Sequence, residues 1–163
     1  MHPTRLMTRF TALASLAFGL LFAPLAAQAQ AMTDYLEGAL IGHVFRGTAY
    51  TAPTTVYIEL LTVACSDAAT GTEVAGGNYA RAAVATGVGT WAAPSAGNGT
   101  TSNVSTITYA VPSAGWGLVV SWAIRDALTA GNQLFCAALT TSKTINSGDT
   151  VTFPPGALTI TFN

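Results

Sequence analysis

From residue 54 onward the chain is a succession of short runs rich in β-branched and aromatic residues, each closed by a cluster of Gly, Pro, Asn, Ser or Asp. That pattern fits strands of a half-buried sheet and leaves little room for helices. The runs are 54–63 (TTVYIELLTV), 79–87 (YARAAVATG), 104–111 (VSTITYAV), 116–126 (WGLVVSWAIRD), 133–145 (QLFCAALTTSKTI), 150–154 (TVTFP) and 157–162 (ALTITF). The pair Pro154-Pro155 suggests an edge or a crossover before the last run, because proline cannot donate to a ladder. Six or seven short strands at this spacing predict a mainly β fold, a single antiparallel β-sandwich of jelly-roll or Greek-key type.

One segment has a different period. Thr33 or Asp34 is suited to cap a helix, with Glu37 three residues after Asp34 in a capping-box-like arrangement. Leu36, Leu40 and Val44 recur at i, i+4 and i+8 with Ile41 and Phe45 beside them, and Gly47 supplies a stop. The prediction is one short amphipathic helix, 33–46, ahead of the strands. Its apolar stripe must dock on its own sheet or on a neighbouring subunit. The second choice makes Leu36, Leu40, Val44 and Phe45 contacts of a homo-oligomer.

Residues 1–31 read as a three-part export signal. Arg5 and Arg9 give a basic start, residues 10–23 are apolar apart from Thr11, Ser15 and Gly19, Pro24 ends the run, and Ala29-Gln30-Ala31 is a small–x–small cleavage pattern. The apolar run is about fourteen residues, short of the roughly 20 that span a bilayer. No stable membrane span is expected once it is removed, and residues 32–163 form the β-domain.

That domain carries four basic residues, Arg46, Arg81, Arg125 and Lys143, against seven acidic ones, for a net charge of −3. Four scattered cations make no basic stripe, which excludes a nucleic-acid partner. The whole chain is 50% hydrophobic and 8% charged, which excludes a disordered chain.

Reactive chemistry finds little support. No G-x-S-x-G, S-x-x-K or H-E-x-x-H motif occurs. His43 is the one histidine beyond the signal, and at a helix C-terminus it suits the helix dipole. Paired carboxylates would need Glu59, in a strand, to meet Asp67 or Glu73 from the loop after it. The expectation is therefore no catalytic residue, no metal ligand and no cofactor. Cys65 and Cys136 are either one disulfide or two small buried hydrophobes. An exported chain would favour the bridge, worth roughly 4 kcal/mol for a loop of about seventy residues. Trp91, Trp116 and Trp122, with Tyr50, Tyr57, Tyr79 and Tyr109, read as core more readily than as a glycan platform. Asn98 and Asn103 match the N-glycosylation pattern only as chance does in a Thr-rich loop.

The segment TDYLEGALIGHVFRGTAYTAPTTVYIELLT (33–62) resembles the start of a family of small tailed-phage structural proteins known as phage tail fibre proteins. GTEVAGGNYARAAV (71–84) resembles that family's Gly-Gly-x-Tyr-Ala-Arg segment, and residues 116–162 resemble its closing half, including Ala-Leu-Thr-Thr-Ser-Lys-Thr and Ser-Gly-Asp. The resemblance implies a non-enzymatic virion component, tail-fibre or head-decoration, acting by self-assembly and contact with other virion proteins or a cell-surface glycan. The leader and the two cysteines depart from the family pattern. They raise the alternative of an exported, phage-derived extracellular subunit or a carbohydrate-binding or adhesion module.

Overall fold

The computed structural model describes residues 31–94 and 99–162. The export signal expected over residues 1–31 lies outside the described residues but for its last position. Among the described residues one helix, α1 (Asp34–Phe45), accompanies ten strands: β1 (Ala31–Met32), β2 (Thr55–Val63), β3 (Thr72–Glu73), β4 (Ala82–Ala85), β5 (Thr100–Ser102), β6 (Ile107–Thr108), β7 (Gly117–Arg125), β8 (Gln133–Ile145), β9 (Thr152–Phe153) and β10 (Thr159–Thr161). The fold is mainly β, with antiparallel sheets and one helix.

The described strands form one six-stranded sheet, ordered β1-β8-β7-β2-β3 with β4 also on β2, and two ribbons, β5–β10 and β6–β9. The expectation of a single jelly-roll or Greek-key sandwich goes further than these pairings. The long runs keep their strands, whereas 104–111 shortens to Ile107–Thr108, because much of its backbone bonds to neighbours other than a ladder partner. One such neighbour is Thr90, whose carbonyl accepts the Val104 N–H at 2.9 Å.

Strand β2 is the centre of the sheet. Period-two alternation gives it two faces. Ile58 and Leu60 lie in cross-strand register with Ile124 and Trp122 of β7, and this face is the hydrophobic core. The ribbons contribute to the same core through Phe153, Ile107 and Ile160. Phe153 meets the Trp122 ring edge-on at 6.4 Å. Burying each such side chain is worth about 1.5–3 kcal/mol.

Within the same core Tyr109 and Trp116 form an aromatic cluster with Tyr79, Tyr79 against Trp116 at 5.2 Å and nearly perpendicular. The cluster depends on Gly77, which holds φ +55° and receives a 3.0 Å hydrogen bond from Trp116 Nε1 on its carbonyl. A Cβ there would stand 2.5 Å from the Ala114 carbonyl oxygen, so the residue must be glycine.

The helix starts at Thr33, whose hydroxyl makes no cap bond. It is buried and donates instead to the carbonyls of Gln133 and Leu134, tying the helix start to β8. At the other end Gly47, at φ +68°, turns the chain out of the helix.

Candidate functional site

Three places can carry function: a charged row on the second face of the main sheet, the end of the helix, and an apolar groove beside β4. The charged row starts from Glu59, which is completely buried in the middle of β2. Its register neighbours are Ala123 and, beyond it, Cys136. A buried carboxylate is costly unless it is paired. Here Arg125 Nε donates to Glu59 Oε1 at 2.8 Å, and Arg81 Nη2 faces Oε2 at 3.1 Å as an ion pair without a well-aligned hydrogen bond.

Arg81 also grips Glu73 with two parallel bonds, Nε to Oε1 at 2.8 Å and Nη2 to Oε2 at 2.7 Å. Its Nη1 donates to the carbonyls of Ala127 and Ala130, both at 2.8 Å. Burial pushes the Glu59 carboxyl above its usual range, and the hydrogen bond and charge of Arg125 together with the charge of Arg81 partly offset that rise. The bidentate bond to Glu73 raises the Arg81 guanidinium despite its burial. Tyr79 hydroxyl accepts the Leu60 N–H at 2.8 Å, and Tyr109 hydroxyl donates to the Ile58 carbonyl at 3.0 Å. Burial moves both phenols well above their ordinary values.

A cleft of about 390 Å³ opens beside this row, lined in part by Glu73, Tyr79, Arg81, Leu128 and Ala130. Glu59 and Glu73 do come together, as paired-carboxylate chemistry would need. Arg81 sits between them, and Glu59 is sealed from solvent. Both oxygens of Glu59 are turned to the arginines and away from solvent, while Glu73 is partly exposed at the cleft.

The helix end is the opposite case. Leu36 is buried and Leu40 packs against the domain's own core, so these two serve intramolecular docking. Ile41, Val44 and Phe45 stand 54%, 65% and 80% exposed. They follow one another at i, i+3 and i+4 and form one face. His43 Nδ1 accepts the Tyr50 N–H at 3.3 Å and fastens the helix end to the loop behind it. The groove, about 660 Å³, is lined by Gly87, Val88, Gly89, Trp91, Ala92, Ala93, Pro94, Thr101 and Val104, none of them charged.

Cys65 and Cys136 are joined by a disulfide with Cα atoms 6.0 Å apart. The bridge pins the loop after β2 onto the face that holds Glu59. Asn103 is buried and its amide donates to the carbonyls of Ser105 and Pro154, both at 2.8 Å, so that glycosylation match is spent on internal bonds. Asn98 lies outside the described residues. Trp116, Trp122 and Tyr109 are core residues, while Trp91 reaches the groove. Among the described residues no cluster of His, Cys, Asp and Glu is placed to hold a metal ion, and no helix is long and apolar enough to cross a membrane.

The family model for Podophage GP4 fiber I protein gp80 matches residues 31–161, about four-fifths of the chain. The chain belongs to the gp80 fibre family. Among curated proteins none matches it. Membership in the gp80 family supports a phage structural role and implies a place in the virion. Arg81, the clasp of the charged row, falls in the Tyr-Ala-Arg segment of this gp80 member. Sequence reasoning did not assign it a role. The signal was Glu59 itself, since an acid inside TVYIELLTV requires buried cations and residues 32–163 offer only four.

Proposed function

We propose that this protein is a non-enzymatic fibre component that works by self-association and by contact with other virion proteins. The observation that carries the reading is the exposed apolar end of α1, where Val44 and Phe45 face solvent on a chain of a fibre family. The sequence-level contact set of Leu36, Leu40, Val44 and Phe45 narrows to Val44 and Phe45, joined by Ile41. In this reading the two ribbons act as the second layer of a sandwich, and the charged row holds the first layer rigid. The test is sedimentation velocity on residues 32–163. A species heavier than one chain that dissociates on Val44→Asp with Phe45→Asp supports the reading, and a single chain at every concentration contradicts it.

A second reading is favoured by one observation, the Cys65–Cys136 bridge. A disulfide persists in an oxidising compartment. It supports an exported extracellular subunit, with residues 1–31 as its signal. Mass spectrometry of the mature N-terminus separates the two: a chain starting at Met32 in the medium supports export, and a chain retaining Met1 opposes it.

A further inference from the structure

We propose that the loop joining β2 to β3 is a redox-latched strap: the Cys65–Cys136 bridge holds it closed beside Arg125, and reduction opens it while the main sheet stays folded. The loop leaves β2 after Val63, and its bridge ends on β8, with β7 lying between those two strands. Cys136 is in register with Ala123, and Ala123 with Glu59, so the bridge lands on the face that holds the charged row. Closed in this way, Asp67, Ala68, Ala69 and Thr70 form one side of a pocket of about 250 Å³ that Arg125 and Gln133 also line.

Little besides the bridge keeps the strap there. Ala64 and residues 66–71 are all exposed, so the loop adds no apolar side chain to the core. Hydrogen bonds tie it to other elements through Gln133 Nε2, which donates to the Ser66 carbonyl at 2.9 Å, and the Asp34 N–H, which donates to the Asp67 carbonyl at 3.3 Å. Water replaces such bonds at small net cost. Cys65 Sγ lies 3.7 Å from the Trp122 carbonyl, but a disulfide sulfur has no proton to donate. The other bonds are internal, from the Ser66 N–H to the Ala69 carbonyl and from the Ala69 N–H to Ser66 Oγ, so the turn keeps its shape when it swings.

Cys65 is half-buried and Cys136 is buried, so an incoming thiolate meets Cys65 Sγ. A dithiol reductant forms a mixed disulfide there while the Cys65–Cys136 bond breaks, and Cys136 leaves as a thiolate and takes up a proton. The reductant's second thiol then displaces Cys65 and closes its own disulfide, so two electrons and two protons pass to the protein. A reducing compartment therefore keeps the strap open, and an oxidising one shuts it.

The experiment compares the oxidised chain with one reduced by dithiothreitol, alkylated at both cysteines and freed of reagent. Both are labelled with hydroxyphenylglyoxal, which modifies arginine, and each site is followed by peptide mass spectrometry with circular dichroism reporting the sheet. Arg46 is exposed and serves as the internal standard. Arg125 is expected to react roughly tenfold faster after reduction, with Arg81 unchanged to within about twofold, as local opening requires. The chain with Cys65→Ser and Cys136→Ser, which carries no alkyl groups, is expected to repeat that pattern. An unchanged rate at Arg125 in either chain overturns the strap. Arg81 accelerating together with Arg125 also overturns it, because the bridge then supports the whole domain, and a reduced chain that loses its fold gives this result.

Discussion

Glu59 and Phe45 sit at opposite extremes of the same domain. Glu59 is a charge in the middle of the sheet, and both its oxygens are held by arginines whose remaining donors reach Glu73 and the carbonyls of Ala127, Ala130 and Gly131. Phe45 is an apolar ring at the end of a helix, largely in water. Water would stabilise the first and destabilise the second, yet the fold gives each the other's environment. Within this pair of sites the charge is neutralised and enclosed, and the apolar ring is left outside. That division fits the structural role that the fibre family supports.

The contrast breaks most sharply at the charged row. Glu59→Gln leaves Arg125 and one side of Arg81 buried without a counter-charge, and it is expected to cost about 3–5 kcal/mol in chemical unfolding. Glu73→Gln, on the partly exposed side of the same clasp, is expected to cost about 1 kcal/mol or less. Equal losses at the two positions would mean that the burial of Glu59 is not what matters. Next in size is the bridge across the same face. Cys65→Ser with Cys136→Ser is expected to lower stability by about 4 kcal/mol at most, and reduction of the parent should give the same loss.

Alkaline pH sharpens the comparison from the core side. Tyr79 and Tyr109 have folded-state pKa values raised above their ordinary 10.0. The folded chain therefore holds these protons more tightly than the unfolded chain. The corresponding stability is complete below pH 10 and is lost as pH rises above it, by about 1.4 kcal/mol per pH unit for each group. Absorbance titration should show these two of the five tyrosines ionising only as the chain unfolds, and Tyr79→Phe should make the alkaline fall shallower. The smallest effect belongs to the helix end. Phe45→Asp is expected to change the unfolding free energy by no more than about 0.5 kcal/mol, because the ring packs on little of its own chain.

Much of the fold was legible because long strands announce themselves. The run 133–145 is β8 residue for residue, and 54–63 and 116–126 differ from β2 and β7 by a residue at one or both ends. The short pieces were harder. Thr72–Glu73 and Thr100–Ser102 lie in Gly- and Thr-rich stretches whose composition reads as loop, and only their tertiary partners make them strands. The helix was legible in extent but not in direction. Leu36, Leu40, Val44, Ile41 and Phe45 look like one stripe, yet only Leu36 and Leu40 reach the domain's own core while Ile41, Val44 and Phe45 face solvent. The charged row was hidden because pairing among residues 59, 73, 81 and 125 is set by sheet register, which spacing along the chain does not reveal.

The central claim is that this chain is built into a particle through exposed surface, and the direct measurement is quantitative mass spectrometry of purified virions from the genome that encodes it. The account predicts the parent chain in several copies per particle and Phe45→Asp, although folded, at a small fraction of that level. A parent chain missing from the particles, or a Phe45→Asp chain incorporated as fully as the parent, would contradict it.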